Sequence, residues 1–190
     1  MTSFLILLPF GAFAMLMLVA STAVSLFAAA AIALGIIVWD VWRGGSLKML
    51  AAGTVLLFGA LGCYIALVDG HWSGIAVRLA VDGGVLAIAL ASLAIRAPFT
   101  LQYAREKVDA ETQQLPGFMT ANYVITWAWT AAFVLMLVAD MLLIYLPGLP
   151  LWIGFATAFA ARNAAVAFTN WYPQYRRLKY GPKSAPASRP

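Results

Sequence analysis

Long apolar runs separated by short polar segments fill most of this sequence. The first run, residues 4–39, contains no charged side chain. A single helix of that length would measure about 54 Å, whereas the hydrocarbon core of a bilayer is about 30 Å thick. Ser21 and Thr22 are small polar residues near the middle of the run, and they favour a turn. The pattern therefore predicts two helices here, over about 4–20 and 23–41.

The later apolar runs predict four further helices. Polar or turn-forming segments at 40–48, 69–71, 96–114 and 147–150 separate these runs. The last of them, Pro147-Gly148-Leu149-Pro150, is a compact turn signal. The four helices are expected over about 49–68, 72–95, 119–146 and 151–171.

The predicted fold class is all-α, a polytopic transmembrane bundle of about six helices. It forms a single transmembrane domain over 1–174, followed by a basic, disordered cytoplasmic tail over 175–190. Five helices are the main alternative, with residues 4–39 forming one long helix and an interfacial piece. Composition agrees with a membrane protein, because 64% of the 190 residues are hydrophobic and 10% are charged, against about 45–50% and about 25% in soluble domains.

The distribution of Lys and Arg predicts the orientation. Basic residues near helix ends are retained on the cytoplasmic side. In this chain such residues lie between the second and third predicted helices, between the fourth and fifth, and in the C-terminal tail, namely at Arg43, Lys48, Arg96, Arg105, Lys107, Arg176, Arg177, Lys179, Lys183 and Arg189. An even number of helices places all three segments on one face. We therefore expect a multi-pass membrane protein with both termini on the cytoplasmic side.

The first residues and the net charge complete this picture. Met1-Thr2-Ser3 lacks the basic start of a signal peptide, so the first helix is expected to be retained. A net charge of +5 would in a soluble protein suggest nucleic acid. Here the expected partners of the basic loops are the lipid bilayer and its anionic headgroups, at about 1 kcal/mol for each basic residue, and no nucleic acid.

Four charged residues lie inside the predicted helices, where an ionisable group is costly and normally faces a partner. Arg78 and Asp82 share one face of the fourth helix, whereas Asp140 and Arg162 lie on the fifth and sixth. Counted from the outer ends of the helices, Arg78 and Asp140 lie at one depth, and Asp82 and Arg162 lie nearer the middle. These matching depths predict that Asp82 pairs with Arg162 and Arg78 with Asp140, with Asn163 completing the polar cluster. Two interpretations stay open. The pairs either fix helix packing or form a site for a proton, an ion or a polar substrate.

The fourth-to-fifth connection has an amphipathic pattern over about 100–113. Leu101, Ala104 and Val108 share one face of a helix, which predicts a short interfacial helix along the inner surface. Its residues also make a candidate docking site for another protein, namely Leu101, Arg105, Glu106 and Lys107. A simple amphipathic connector is the alternative.

Catalytic and cofactor motifs are sparse in this sequence. With one histidine, His71, the chain cannot supply the two axial ligands of a membrane b-type haem. With one cysteine, Cys63, it cannot form a disulfide or a cysteine zinc cluster. We therefore expect no metal, no cofactor and no catalytic residue, with a lipid-modifying membrane enzyme kept as an alternative.

Several short motifs occur along most of the chain, namely Leu8-Pro9, Trp39, Pro98-Phe99, Leu115-Pro116, Asn122, Trp127-Ala128, Phe133 and Trp152. In this layout the chain resembles the bacterial intracellular septation protein A family of small inner-membrane proteins. It departs from the family pattern in the spacing from Asn122 to Trp127, and Ala156 stands where that family tends to have a lysine. The resemblance implies a role in cell-envelope biogenesis and division through contacts with other membrane proteins, and no known reaction.

Two classes of function follow from these observations. The first is a non-enzymatic inner-membrane protein that supports envelope biogenesis or division, or acts as a partner in a membrane complex or a homo-oligomer. The second is a small transporter or channel that uses the buried charges, namely Arg78, Asp82, Asp140 and Arg162.

Overall fold

A computed structural model describes residues 8–146 and 148–180, and every regular element in those residues is a helix. We number the helices along the chain as α1 (Leu8–Leu16), α2 (Thr22–Trp42), α3 (Met49–Leu67), α4 (Gly74–Ala94), α5 (Phe99–Arg105), α6 (Ala110–Gln114), α7 (Pro116–Tyr145) and α8 (Trp152–Tyr180).

Four of these helices are long and apolar enough to cross a membrane, which is typical of a multi-pass membrane protein. They are α2, α3, α4 and the Gly117–Tyr145 part of α7. Helix α8 falls outside this set, because Arg162 and Asn163 interrupt its apolar stretch. Helix α1 is too short in the described residues.

The first apolar run is divided at the predicted position. Helix α1 ends at Leu16 and α2 begins at Thr22. The Ser21 side chain caps α2 by accepting a hydrogen bond from the backbone N–H of Val24 at 3.4 Å. Helix α1 stops earlier than the predicted residue 20, because the amides of Leu18 and Val19 bond three residues back and form tight turns. Residues 4–7 of the predicted helix lie outside the described residues.

The last helix is longer than predicted. It continues past residue 171 and through Pro173 to Tyr180, so the predicted tail boundary at residue 175 is wrong. Stacked rings one turn apart support this extension, with centroids 5.1 Å apart for Phe168 and Tyr172 and for Trp171 and Tyr175. Residues 181–190 of the predicted tail lie outside the described residues.

The predicted connector helix over 100–113 is in fact two short helices, α5 and α6. The chain leaves helical geometry around residues 106–109. The cause is a capping interaction, in which Oδ1 of Asp109 accepts a hydrogen bond from the amide of Thr112 at 2.7 Å and starts α6. Thr100 lies inside α5, and its hydroxyl donates to the carbonyl oxygen of Asn122 at 2.9 Å.

The helices pack in an order close to that of the sequence. Helix α2 contacts α1 and α3, α4 contacts α3 and α7, and α8 contacts α7. The ring of Phe58 on α3 is fully buried, and its centroid lies 5.4 Å from those of Phe10 and Phe13 on α1. These rings form the part of the core between α1 and α3.

Three basic segments meet at one end of this bundle, which we call the basic end. Nζ of Lys48, just before α3, lies 2.9 Å from Oε2 of Glu106. Nη1 of Arg176, near the end of α8, donates to the carbonyl oxygen of Gly117 at 3.0 Å. The loop before α3, the α5 segment and the end of α8 therefore lie together, as expected if the basic residues share one face.

Two adjacent glycines on α4 give a matched test of helix packing. A Cβ atom at Gly84 would overlap with Cδ1 of Leu57 on α3, whereas one at Gly83 would meet Cδ1 of Leu137 at an ordinary 3.6 Å. We expect Gly84→Ala to cost about 1–3 kcal/mol by overpacking, while Gly83→Ala is neutral or slightly stabilising. Thermal unfolding in detergent measures both, and equal melting temperatures would contradict the close α3–α4 approach.

Candidate functional site

Arg78 on α4 and Asp140 on α7 form a direct salt bridge. Nη2 of Arg78 donates to Oδ1 of Asp140 at 2.8 Å, and the Asp140 side chain is 0% exposed. The guanidinium lies over the ring of Phe155 on α8, 4.5 Å from its centroid. Gly154 leaves room for this group, since a Cβ atom there would lie 3.2 Å from Nη2 of Arg78. This bridge connects three helices.

Asp82 and Arg162 form a looser pair nearer the middle of the helices. Oδ1 of Asp82 and Nη2 of Arg162 are 4.0 Å apart, and the two side chains are 8% and 24% exposed. The guanidinium carbon of Arg162 lies 5.7 Å from the centroid of the Phe10 ring on α1. The structure thus contains both pairings that the depths of these residues predicted.

The two pairs belong to one electrostatic network, which we call the charge cluster (Arg78, Asp82, Asp140 and Arg162). Each aspartate interacts with both arginines, and the two carboxyl groups lie close enough to influence each other. Oδ2 of Asp140 is buried and has no hydrogen-bond partner among the described residues. An oxygen without a hydrogen-bond partner is costly in an apolar interior.

Asn163 does not join the charge cluster, so this part of the prediction is wrong. Its side chain is on the exposed side of α8, where Nδ2 donates to the carbonyl oxygen of Phe159 at 2.7 Å. Successive residues on a helix point about 100° apart. Because Arg162 faces the bundle interior, its immediate neighbour faces away.

A cavity of about 680 Å³ leads from the basic end to the charge cluster. Helices α4 to α8 contribute to its walls, with Phe10 and Leu50 from α1 and α3. Lys107, Arg176 and Arg177 line it at the basic end, and Asp82 and Arg162 line it at the inner end. Between these ends its walls are largely apolar, with Val85, Phe118, Ile125, Phe133, Met136 and Val166 among them.

The cavity stops at the looser ion pair. Neither Arg78 nor Asp140 lines it, and Asp140 is fully buried behind it. The charge cluster therefore separates the cavity from the opposite end of the bundle. Sequence patterns did not reveal this cavity, because its lining residues come from segments far apart along the chain.

The four predicted docking residues do not form one surface. Leu101 is 4% exposed and packs inside the protein, and Glu106 is engaged by Lys48. Arg105 and Lys107 are exposed, and Lys107 lines the cavity. The connector is bound to the bundle, because its apolar face and its acidic side chain both meet other parts of the chain.

Lys48 is the centre of a second ionic cluster, which the sequence did not reveal. Its side chain is 2% exposed and contacts the carboxylates of Asp40 and Glu106. Ser46 also donates to Oε1 of Glu106, from its amide at 3.1 Å and from its hydroxyl at 3.2 Å. These contacts fasten α5 to the loop between α2 and α3. The nearest signal in the sequence was the Asp40 to Lys48 spacing across one polar loop.

The charges of this ionic cluster stabilise one another. Burial alone would lower the pKa of Lys48, but hydrogen bonds and charge from Asp40 and Glu106 outweigh burial and raise the pKa. Burial would likewise raise the pKa of Glu106, yet hydrogen bonds from Lys48 and Ser46 hold it below its ordinary value. The ionised form of each group is therefore favoured in the folded protein.

Comparison with protein-family models, with curated proteins and with solved structures finds no match to this chain. The resemblance to the septation protein A family rests on its short motifs and stays a prediction.

The two ion pairs should differ in their effect on stability. Asp140→Asn leaves the Arg78 guanidinium without its buried partner and should cost about 3 kcal/mol. Asp82→Asn removes a looser contact of 4.0 Å at the cavity wall and should cost less than Asp140→Asn. Thermal unfolding in detergent compares them. The double variant Arg78→Met with Asp140→Leu should recover most of the loss, and equal costs for the two single variants would argue against this ranking.

The ionic cluster around Lys48 predicts a dependence of stability on pH. Because folding lowers the pKa of Glu106 from its ordinary 4.5, its contribution is present above that pH and is lost as pH falls through the lower folded value. We expect wild type to melt at a higher temperature than Glu106→Gln at about pH 7, and the difference to shrink as the pH falls below 4.5. A difference that persists in acid would show that the charge of Glu106 is not responsible.

Proposed function

We propose that this protein is a six-span protein of the bacterial inner membrane that binds a ligand inside its bundle, as small transporters do. Helices α1 to α4, α7 and α8 are the spans, and both termini are cytoplasmic. The shared basic end supports this orientation, because Lys and Arg are retained on the cytoplasmic side.

The carrying observation is the cavity that joins the basic end to Asp82 and Arg162. Its volume of about 680 Å³ is within the range of about 300–1,000 Å³ found for ligand sites. An ion pair with only a structural role is expected to be closely packed, because solvent in a cavity screens the two charges and weakens their attraction. Here the looser pair faces the cavity, and the tighter pair is sealed behind it.

The arrangement supports ligand entry from the cytoplasmic side. The cavity reaches Lys107, Arg176 and Arg177 at the basic end, and the charge cluster ties α4, α7 and α8 together beyond it. Charged residues within membrane helices commonly mark substrate or ion pathways. The cluster acts as the closed outer barrier of an inward-facing state, and movement of α8 away from α4 would break the pair of Asp82 with Arg162.

A second candidate is the non-enzymatic protein of envelope biogenesis or division, acting with other membrane proteins or a second copy. The septation protein A motifs support it, and so does an exposed apolar stripe on α2, formed by Leu34, Val38 and Val41. This candidate places the contact on the outer surface of the bundle, and the first candidate places it inside the bundle. Neither candidate invokes catalysis, a metal or a cofactor.

Cysteine accessibility tests the proposal. In a background with Cys63→Ala, Val166→Cys places a thiol on the cavity wall, and Ala167→Cys places one at the same depth on the exposed side of α8. Both variants are reconstituted in phosphatidylcholine vesicles with a charged thiol reagent on both sides. We expect Val166→Cys to react and Ala167→Cys, facing lipid, to stay unmodified. An unreactive Val166→Cys would mean a sealed bundle and would favour the second candidate.

A further inference from the structure

The cavity has an uneven distribution of charge. Of the charged residues that line it in the described part of the chain, four are basic and one is acidic. Arg162 and Asp82 oppose each other at the inner end, so the net positive charge lies at the basic end, with Lys107, Arg176 and Arg177. Arg176 also bonds the carbonyl of Gly117, and Arg177 interacts with Asp109, yet the lining at this end remains basic. A ligand that fits must carry its negative charge there.

The walls between the two ends favour a hydrocarbon chain. They are formed mainly by aromatic and aliphatic side chains, and Trp129 donates its indole N–H to Thr169 at 3.0 Å. The distance along α8 from Arg162 to Arg177 is about 22 Å at 1.5 Å per residue. Half of a bilayer with its headgroup region is also about 20–22 Å thick. The cavity therefore has the length of one leaflet.

Charge argues against the chain's own C-terminal segment as the occupant. Residues 181–190 contain Lys183 and Arg189 and no acidic residue. A basic segment would be repelled by a basic rim, whereas an anionic headgroup would be attracted to it.

Resting on the proposed function, we propose that the ligand is an anionic phospholipid of the cytoplasmic leaflet. Its phosphate lies at Lys107 and Arg177, and one acyl chain extends along the apolar walls toward Asp82 and Arg162. The ion pair closes the inner end and, being neutral as a pair, does not require charge from the ligand.

Native mass spectrometry of the purified protein measures this binding. Phosphatidylglycerol, phosphatidylcholine and inorganic phosphate are each titrated onto wild type. We expect wild type to bind one phosphatidylglycerol molecule, to bind phosphatidylcholine with at least tenfold lower affinity, and to form no stable adduct with phosphate. The double variant Lys107→Gln with Arg177→Gln should lower the affinity for phosphatidylglycerol about 30-fold, because each basic residue contributes about 1 kcal/mol. The matched control, Arg43→Gln with Arg105→Gln, removes the same charge from the same end outside the cavity lining and should have little effect.

A second pair of variants separates the cavity from the surface. Ala121→Phe adds bulk to the cavity wall, whereas Ala131→Phe adds it to the exposed side of the same helix, α7. Only Ala121→Phe should weaken lipid binding. Equal losses in either matched pair, or equal affinity for the two lipids, would overturn the proposal in favour of adventitious surface binding. Phosphate binding as strong as lipid binding would overturn it in favour of a free anion.

The cysteine assay separates failure of this inference from failure of the proposed function. Replacing part of the phosphatidylcholine by phosphatidylglycerol should slow labelling of Val166→Cys at least several-fold. If labelling is fast in both kinds of vesicle, the cavity is accessible but the anionic lipid does not occupy it, and this inference is refuted. Absence of labelling in phosphatidylcholine would refute the proposed function itself.

Discussion

The salt bridge between Arg78 and Asp140 is the interaction on which the rest of this bundle depends. A charge inside an apolar helix costs several kcal/mol unless a partner meets it, and Asp140 is fully buried. Its partner must therefore come from another helix, which fixes α4 against α7. Gly154 and Phe155 then place α8 beside the same guanidinium. One requirement for charge neutrality thus sets the relative positions of three helices.

The second pair lies under the same constraint but is less tightly held. Asp82 and Arg162 are 4.0 Å apart and border a cavity, so they are accessible to whatever enters it. The basic end is organised separately, by Lys48 between Asp40 and Glu106. That ionic cluster fastens α5, which forms part of the cavity wall, to the loop before α3.

Much of the architecture could be predicted from the sequence, because the bilayer restricts what an apolar chain can do. The helical class, the break near Ser21 and the pairing of the four charges by depth all follow from hydrophobic length and from the cost of burying charge. The errors lie at segment ends, in the connector and in the assignment of Asn163 to the charge cluster. The extension of α8 through Pro173 depends on ring stacking and on the contact between Arg176 and Gly117, which hydropathy does not represent.

Hydropathy and charge along the chain already require a charge cluster, because two acidic and two basic residues inside apolar helices have to neutralise one another. Helix packing sets how tightly each pair closes, turns Asn163 away from the cluster and brings Lys48 to Glu106 at the basic end. It also leaves a cavity between the basic end and Asp82. Hydropathy is a property of one segment, whereas distances between side chains and the space left among helices depend on how several segments pack together.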